Sequence, residues 1–367
     1  MNEKEGGAVV LTLGVLHGDG IGYEIVESAK AIASAAALHA GVAVQWKTLQ
    51  MGEEAIKQFG TSMPDETIAH LSELEGWLMG PHDSLSYPAE LKELRNPSGE
   101  LRHHFDLYAN IRPIQSSPFV RGMIDKADLV IYRENTEGFY VDRNMFQGVG
   151  EMMVTPDVAL TTGVFTRKAI ERIAHAAFQK AQRRRKKVTI VHKANVIKLG
   201  SGFFLSLCRE VGKQYPDVKV DDYHIDAMCA HLVRRMPDFD VIVTENMFGD
   251  ILSDLAGELV GSLGLASSIN ASASKVMAQA AHGSAPDIAG KGIANPIGMI
   301  ESTALLFEWL GEKQKDHGLQ LLASIIRESV TATLKKGIAT PDLGGQATTN
   351  EFTDHVINLM TEGKICK

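Results

Sequence analysis

Two aspartates four residues apart have the spacing of a metal site. Asp250 and Asp254 lie in "NMFGDILSD", residues 246 to 254, a segment that is otherwise largely apolar. Residues i and i+4 share one face of a helix, so both carboxylates would project together from its first turns. Paired hard oxygens suit Mg²⁺ or Mn²⁺. The alternative is that they complement the positive end of the helix dipole, which explains Asp250 better than Asp254.

A third acid and a lysine follow other strand-like segments. Asp226 lies in "DDYHIDAM", and Lys193 lies in "VTIVHKANVIK", directly after an apolar run. A lysine at such a place costs free energy unless it has a partner or a chemical task. Either residue alone also fits a salt bridge at the surface.

Three arginines and a tyrosine suggest the class of ligand. Arg102 and Arg112 lie ten apart in "LRHHFDLYANIRP", and Arg133 and Tyr140 lie in "LVIYRENTEGFY". Arginine forks bind carboxylates in a bidentate way. Together with the acids and the lysine, these residues predict a small polycarboxylate that is bound beside a divalent metal.

Composition limits the classes of protein to which the chain can belong. The 367 residues carry a net charge of −8 and are 44% hydrophobic and 22% charged, as in an ordinary soluble globular protein. This balance argues against a nucleic-acid binder, and the single basic run, residues 183–187, is interpreted as a solvated helix end. Three cysteines without metal spacing predict a reducing compartment. The acidic start without a long apolar run predicts a cytoplasmic protein that has no membrane segment.

Strand-like and helix-like runs alternate along the chain, which predicts an α/β architecture with a largely parallel sheet. The predicted strands include "VVLTLGVL", "VAVQWKTL", "DLVIYRE", "KVTIVHK", "VKVDDYHI" and "DVIVTEN". Helices are predicted for "YEIVESAKAIASAAALHA" and for "GDILSDLAGELVGSL", in which Ile251, Leu255 and Leu259 recur every four residues. The aspartate pair would therefore lie beyond the carboxyl end of a strand, where open α/β sheets bind ligands.

A glycine loop near the start resembles a dinucleotide motif but does not match it. "HGDGIGYE" has the spacing G-x-G-x-G at Gly18, Gly20 and Gly22, and the next strand does not end in an acidic residue. The loop is interpreted as a tight turn that lets the backbone approach a ligand or another element. A classical Rossmann fold is not expected.

Taken together, the motifs resemble those of the metal-dependent β-decarboxylating dehydrogenases, the isocitrate/isopropylmalate dehydrogenase family. The matching stretches are "GDGIGYE", "LRHHFDLYANIRP", "YRENTEGFY", "VHKANVIK", "NMFGDILSDLAGELVGSLG", "HGSAPDIAGKGIANP" and "TPDLGG". They occur in family order from residue 17 to residue 345. The resemblance implies a two-domain α/β/α fold, with residues 1–107 and 261–367 in a large NAD-binding domain. Residues 108–260 would form a central domain with the dimer interface and the metal and substrate residues.

The resemblance also implies roles for single residues. The three arginines would hold the carboxylates of a malate-like substrate, and Asn195 would contact it. Asp250 and Asp254 would bind Mg²⁺ or Mn²⁺ in one subunit of a homodimer, and Asp226 and Lys193 would reach in from the other subunit. Lys193 would accept the proton of the C2 hydroxyl, and Tyr140 would protonate the enolate that decarboxylation leaves.

The segment "HGSAPDIAGKGIANP" would bind NAD by the same resemblance. The implied contacts are His282, Gly283, Ser284, Ala285, Pro286, Asp287, Ile288 and Asn295. Asp287 would accept hydrogen bonds from the adenosine ribose, and its charge would repel the 2′-phosphate of NADP.

The loop before Arg102 predicts the third substituent of the substrate. Isopropylmalate enzymes carry two leucines at positions that are Ser98 and Gly99 here, whereas isocitrate enzymes carry a serine and an asparagine that are exchanged here as Asn96 and Ser98. An isopropyl group against Ser98 would leave a hydroxyl without a partner, at a cost of roughly 1–3 kcal/mol. Isocitrate or homoisocitrate is therefore predicted ahead of 3-isopropylmalate, with D-malate or tartrate third.

Two non-catalytic alternatives remain open at this point. The chain could be a regulatory subunit of such an enzyme, although those tend to lose metal or lysine positions that this chain keeps. It could also bind a hydroxy acid and a metal without turnover.

Overall fold

The computed structural model describes residues 10–92, 95–140 and 150–361. The strands in these residues are β1 (Leu11–Leu16), β2 (Val44–Leu49), β3 (Gly76–Met79), β4 (Ala109–Gln115), β5 (Asp128–Glu134), β6 (Glu151–Thr155), β7 (Val158–Thr161), β8 (Lys187–His192), β9 (Lys219–His224), β10 (Val241–Thr244), β11 (Ile269–Ala271) and β12 (Val276–Ala278). The helices are α1 (Gly22–Ala40), α2 (Gly52–Phe59), α3 (Asp65–Ser72), α4 (Ala89–Lys92), α5 (Pro97–His104), α6 (Arg167–Gln182), α7 (Gly200–Gly212), α8 (Ile225–Arg235), α9 (Asn246–Val260), α10 (Ile297–Gln314), α11 (His317–Lys335) and α12 (Thr349–Thr361). None of these helices is long and apolar enough to cross a membrane.

The chain divides into two compact units. Met1–Tyr87 and Lys275–Lys367 belong to the first unit, and Pro88–Ser274 belong to the second. Segments 88–107 and 261–274 thus group with the middle of the chain. The predicted domain borders near residues 107 and 260 stay a prediction, because a compact unit is not the same as a domain that folds on its own.

The first unit contains a parallel sheet with the strand order β2-β1-β3-β12. Helix α1 buries Ile25, Ala29, Ile32 and Ala36, which recur at helical spacing, and it packs against α10, α11 and α12. The helix ends at Gly41, whose φ of 68° lies in the left-handed region that glycine adopts without strain. The predicted first strand, helix and second strand are thereby confirmed.

The glycine loop between β1 and α1 makes the tight turn that its sequence predicts. Gly18 and Gly20 have φ angles of 75° and 57°. A Cβ on Gly20 would lie only 2.0 Å from the carbonyl oxygen of Ser284. The loop therefore approaches a second backbone segment closely, and glycine is required for that approach.

The second unit contains a mixed sheet with the strand order β11-β4-β5-β10-β8-β9. Strands β5, β10, β8 and β9 run parallel, while β4 is antiparallel to both β11 and β5. A separate antiparallel hairpin is formed by β6 and β7. The alternating pattern predicted the parallel part, and β4 departs from it because no crossover helix separates it from β5.

Helix α9 lies on this sheet, and only some of its apolar residues are buried there. Leu252, Ala256 and Leu259 belong to the core of the second unit, and Leu255 packs against that core. Ile251, which the four-residue repeat placed with Leu259, is 49% exposed. The four-residue repeat therefore indicated the helix correctly but did not determine which of its apolar residues the sheet buries. The helix also begins at residue 246, three residues before its predicted start.

Candidate active site

The aspartate pair lies in the first turns of helix α9, directly after strand β10. The side chains of Asp250 and Asp254 are 37% and 52% exposed, so both carboxylates reach the surface of the second unit. One turn separates them, as the spacing predicts. Neighbouring strands of the same sheet carry the residues that contact the two aspartates.

Two buried arginines contact the aspartates. Arg133 on β5 ion-pairs with Asp250 through Nη1, and Arg112 on β4 lies 3.2 Å from the same oxygen, Oδ1 of Asp250. A second nitrogen of Arg112 lies 3.1 Å from Oδ1 of Asp254. We call these four residues the arginine–aspartate cluster. Both guanidinium groups are buried, and a buried cation needs such counter-charges.

The arginines shift the acidity of the two aspartates in different ways. Burial raises the pKa of Asp250, but Arg133 and Arg112 outweigh it and hold that pKa below its usual value. Burial also raises the pKa of Asp254, and here the effect of Arg112 is too small to reverse the rise, to which repulsion by Asp250 adds. Asp250 is therefore the more firmly ionised member of the pair.

A network of buried asparagines orients Arg112, and the sequence analysis did not anticipate it. Arg112 Nε donates to Oδ1 of Asn110 at 2.7 Å. Oδ1 of Asn270 accepts from both Asn110, at 3.0 Å, and Asn135, at 2.9 Å. All three asparagines are fully buried. Asn110 and Asn135 stand within two residues of the predicted arginines, and that proximity is the signal that could have found them.

Asn246 performs the same task for Arg133. Its Oδ1 accepts from Arg133 Nε at 2.9 Å, and its Nδ2 donates to the backbone oxygen of Glu137 at 3.0 Å. Glu137 in turn accepts from the amide and hydroxyl of Thr166, the N-cap of α6. Burial and the neighbouring Glu134 raise the pKa of Glu137 to about 7. The "ENTEG" turn is thus tied to both α6 and α9.

Arg102 and Tyr140 lie at the edge of the cluster. Arg102 is on α5, and its charge contributes to the low pKa of Asp250. The Tyr140 hydroxyl lies 3.5 Å from Oδ2 of Asp250, and its ring lies under the guanidinium of Arg133. The structure therefore brings together the three predicted arginines, the tyrosine and two of the three predicted metal-binding acids.

Lys193 and Asp226 form a second site of opposite charges. Lys193 follows β8 and Asp226 lies in the first turn of α8, and Nζ of the lysine donates to Oδ1 of the aspartate at 2.7 Å. The aspartate side chain is 69% exposed. We call these two residues the lysine–aspartate pair. Among the described residues, no three acidic, histidine or cysteine side chains converge as a metal site, so Asp226 does not complete a metal site with Asp250 and Asp254 within one chain.

The remaining predicted substrate residues lie on a turn and at a helix start. Asn195 is exposed in the turn after Lys193. Oδ1 of Asn96 caps α5 by accepting the Gly99 amide at 2.8 Å, which occupies part of its hydrogen-bonding capacity. Ser98 is 4% exposed in the first turn of the same helix, four residues before Arg102. Ser98 and Arg102 therefore share one face of α5, as a contact with a common substrate would require.

The predicted cofactor segment lies in the first unit and is held mainly through its backbone. The carbonyl oxygen of Ser284 accepts from the Ile21 amide at 2.9 Å, and the Gly290 amide donates to Oε1 of Glu24 at 2.7 Å. Ala285 has a φ of 40°, which is rare for a residue with a side chain. The segment exposes Gly283, Pro286 and Asp287, and it partly buries Ile288.

His282 and Asn295 differ in how far the protein occupies their polar atoms. Nδ2 of Asn295 donates to Asp342 at 2.9 Å, and its Oδ1 accepts from the Ile297 amide. Nδ1 of His282 donates to the Gly283 oxygen, while Nε2 is buried without a partner among the described residues. Burial lowers the pKa of His282, so its ring is neutral near pH 7 and Nε2 is an acceptor.

Comparisons with known proteins show which proteins this chain is similar to. The family model described as isocitrate/isopropylmalate dehydrogenase matches residues 12–356. An isocitrate/homoisocitrate dehydrogenase of Thermus thermophilus is 42% identical over 349 residues, which cover 94% of this chain and 97% of the relative. A 3-isopropylmalate dehydrogenase of Archaeoglobus fulgidus is 40% identical over 347 residues, with 94% and 98% covered. The crystal structure of isocitrate dehydrogenase from Methylococcus capsulatus superposes with a TM-score of 0.85 at 38% identity, covering 95% of this chain and 99% of that one.

Proposed function

Because this chain belongs to the isocitrate/isopropylmalate dehydrogenase family, we propose that it catalyses the NAD-dependent oxidative decarboxylation of isocitrate or of a homologue such as homoisocitrate. The predicted family and α/β fold class are confirmed, and the chain is a dehydrogenase of this type that acts on a small hydroxy acid. The arginine–aspartate cluster carries the finer proposal. It sets arginine forks, which suit substrate carboxylates, beside hard oxygen ligands, which suit a divalent metal.

The donor set of the cluster fits Mg²⁺ or Mn²⁺. Asp250 and Asp254 present carboxylate oxygens one helical turn apart and partly exposed, and these ions prefer oxygen ligands. Asp250 and Asp254 would hold the ion together with Asp226 of the partner subunit. When bound, the ion would act as a Lewis acid toward the hydroxyl oxygen at C2 of the substrate.

The protein side chains would then divide the remaining work. Arg112 and Arg133 would turn from the aspartates toward the substrate carboxylates and fix the orientation of C2. Lys193 of the partner subunit would accept the hydroxyl proton as the neutral amine that remains once its ion pair with Asp226 is given up. Tyr140, beside Asp250, would supply the proton that the enolate carbon needs after CO₂ departs.

The cofactor segment fits the adenosine half of NAD. The unpartnered Nε2 of His282, buried among the described residues, is an acceptor that the exocyclic amine of adenine would satisfy. Asp287 is exposed five residues further along the segment, where a carboxylate would accept from ribose hydroxyls and repel a 2′-phosphate. When bound, NAD would accept the hydride from C2.

A homodimer is part of the proposal. In the part of the chain that the structure describes, Asp226 does not complete a metal site with the two aspartates of the cluster, and the β6–β7 hairpin exposes Met152, Met153 and Val154. Exposed apolar side chains on a two-stranded hairpin favour a protein partner. A second copy that covers them and brings its own Lys193 to the cluster accounts for both observations.

A substrate panel tests the proposed function. The protein is incubated with Mn²⁺ and either NAD⁺ or NADP⁺, and absorbance of the reduced cofactor is followed with isocitrate, homoisocitrate, 3-isopropylmalate, D-malate and tartrate. We expect isocitrate or homoisocitrate to give the highest kcat/KM, because Ser98 would face a polar substituent. We expect NAD⁺ to be preferred by at least about tenfold, or about 1.4 kcal/mol.

Other results of the panel would change the assignment. If kcat/KM is about tenfold or more higher for 3-isopropylmalate than for the other substrates, the interpretation of Ser98 and Gly99 is wrong. Equal use of the two cofactors would contradict the role of Asp287. No increase in the absorbance of the reduced cofactor with any substrate would favour a binding or regulatory protein without turnover.

A further inference from the structure

A buried hydrogen-bond chain joins the backbone of Lys193 to the residue that precedes helix α9. The Lys193 amide donates to Oγ of Ser201 at 2.6 Å. Because that oxygen already accepts from an amide, the hydroxyl proton of Ser201 can point at Oε1 of Glu245, with which it is hydrogen-bonded. Ser201 is fully buried and Glu245 is 4% exposed.

The position of Glu245 makes this contact informative. It is the N-cap residue of α9, where a side chain usually accepts from an amide of its own helix, yet it makes no such bond to the described residues of α9. Its carboxyl group instead reaches Ser201, in the first turn of α7. Strands β8 and β10 are parallel neighbours with Val191 opposite Thr244, so Lys193 and Glu245 leave the sheet at the same end.

Burial of the Glu245 carboxyl group costs free energy of desolvation, which an apolar side chain at this position would avoid. Burial raises the pKa of Glu245 to about 7, and the hydrogen bond from Ser201 only partly opposes that rise. A buried acid with a specific partner, next to a predicted catalytic group, is a candidate for a functional role.

We infer that Glu245, acting through Ser201, is a positioning residue that fixes the main chain of Lys193. It thereby fixes the Cα from which the side chain with the amine extends. The inference rests on the proposed function, in which Lys193 accepts the substrate proton. A catalytic base that is displaced by about 1 Å can lose about 100-fold in rate. Glu245 itself touches neither substrate nor cofactor in this account.

The test compares three variants with a matched control. Glu245→Ala removes the acceptor, Glu245→Gln keeps an acceptor oxygen, and Ser201→Ala removes the link. Ser329→Ala is the control, because Ser329 is also fully buried and its hydroxyl donates to a backbone oxygen in α11, in the other compact unit. Hydrogen exchange at the Lys193 amide and steady-state kinetics are measured for each protein.

The expected results separate positioning from general stability. Glu245→Ala and Ser201→Ala should speed exchange at Lys193 but not at Ile190 within β8, and should lower kcat by at least about tenfold while KM changes less than about threefold. Glu245→Gln should retain both properties. Ser329→Ala should change neither.

The inference is overturned if Glu245→Ala leaves Lys193 exchange and kcat unchanged, or if Ser329→Ala lowers kcat as much as Ser201→Ala. If Glu245→Ala does not fold, Ser201→Ala decides in its place. Failure of the proposed function can be distinguished from failure of this inference. Even if the wild-type protein shows no turnover, amide exchange at Lys193 still tests the hydrogen-bond chain through Ser201 to Glu245.

Discussion

The arginine–aspartate cluster and the lysine–aspartate pair contain the same kinds of charge but are held very differently. In the cluster, Arg112 and Arg133 are buried and each is fixed by an asparagine as well as by an aspartate. In the pair, Asp226 is largely exposed and its side chain is held by Lys193. The cluster is therefore organised within one chain, whereas the pair is available at the surface.

This difference indicates which charges the fold depends on. Buried arginines lose their hydration and need counter-charges to be stable, so the cluster has a structural role as well as its proposed chemical one. An exposed ion pair contributes little to stability. A site completed by a second copy would need exposed groups on one side and a rigid receiving surface on the other.

The largest expected effect concerns metal binding by the cluster. Asp254→Asn should lower kcat/KM by about 1,000-fold, because the C2 hydroxyl would lose about 4 kcal/mol of Lewis-acid assistance. Chelation with EDTA should abolish wild-type activity reversibly. The matched control is Glu258→Gln, which changes an exposed acid one turn further along α9 and should alter kcat/KM less than about twofold. Full activity in EDTA or in Asp254→Asn would contradict the metal assignment.

A smaller effect is expected on the free energy of unfolding, which should respond differently to changes in the arginine–aspartate cluster and in the lysine–aspartate pair. Asp250→Asn should lower the free energy of unfolding by about 2–3 kcal/mol, because Arg133 and Arg112 would keep their charges with fewer counter-ions. Asp226→Asn should leave it almost unchanged, because that carboxylate is exposed. Denaturant unfolding at neutral pH measures both. Equal losses for the two variants would show that the contrast between buried cluster and exposed pair is wrong.

The proximity of the charged side chains was more predictable from sequence than the contacts that hold them. Residue types and spacing were enough to expect the arginines beside the two aspartates, and the structure shows those ion pairs, while the chemical roles of these residues and of Lys193 stay predictions. The asparagines that orient Arg112 were missed, because Asn270 is distant in sequence and its role depends on how β11 pairs with β4. Glu245 was missed for the same reason, since its partner Ser201 lies on another helix.

The fold was predictable as far as local patterns determine it. Alternation of strands and helices indicated the α/β class and the parallel strands, and the glycine spacing argued against a Rossmann loop. The buried face of α9 was not predictable, because Ile251 and Leu252 are similarly apolar and only the packing on the sheet decides between them. Contacts between elements that are distant in sequence therefore supply what the local pattern leaves open.

Subunit mixing tests the central claim, that the pair of one copy completes the cluster of another. Lys193→Ala and Asp254→Asn are each expected to be inactive, and they are mixed under conditions of verified subunit exchange. A mixed dimer would contain one site with both residues intact, so random exchange should restore about a quarter of wild-type activity. No recovery despite exchange, or a fully active monomer in sedimentation, would contradict the shared site.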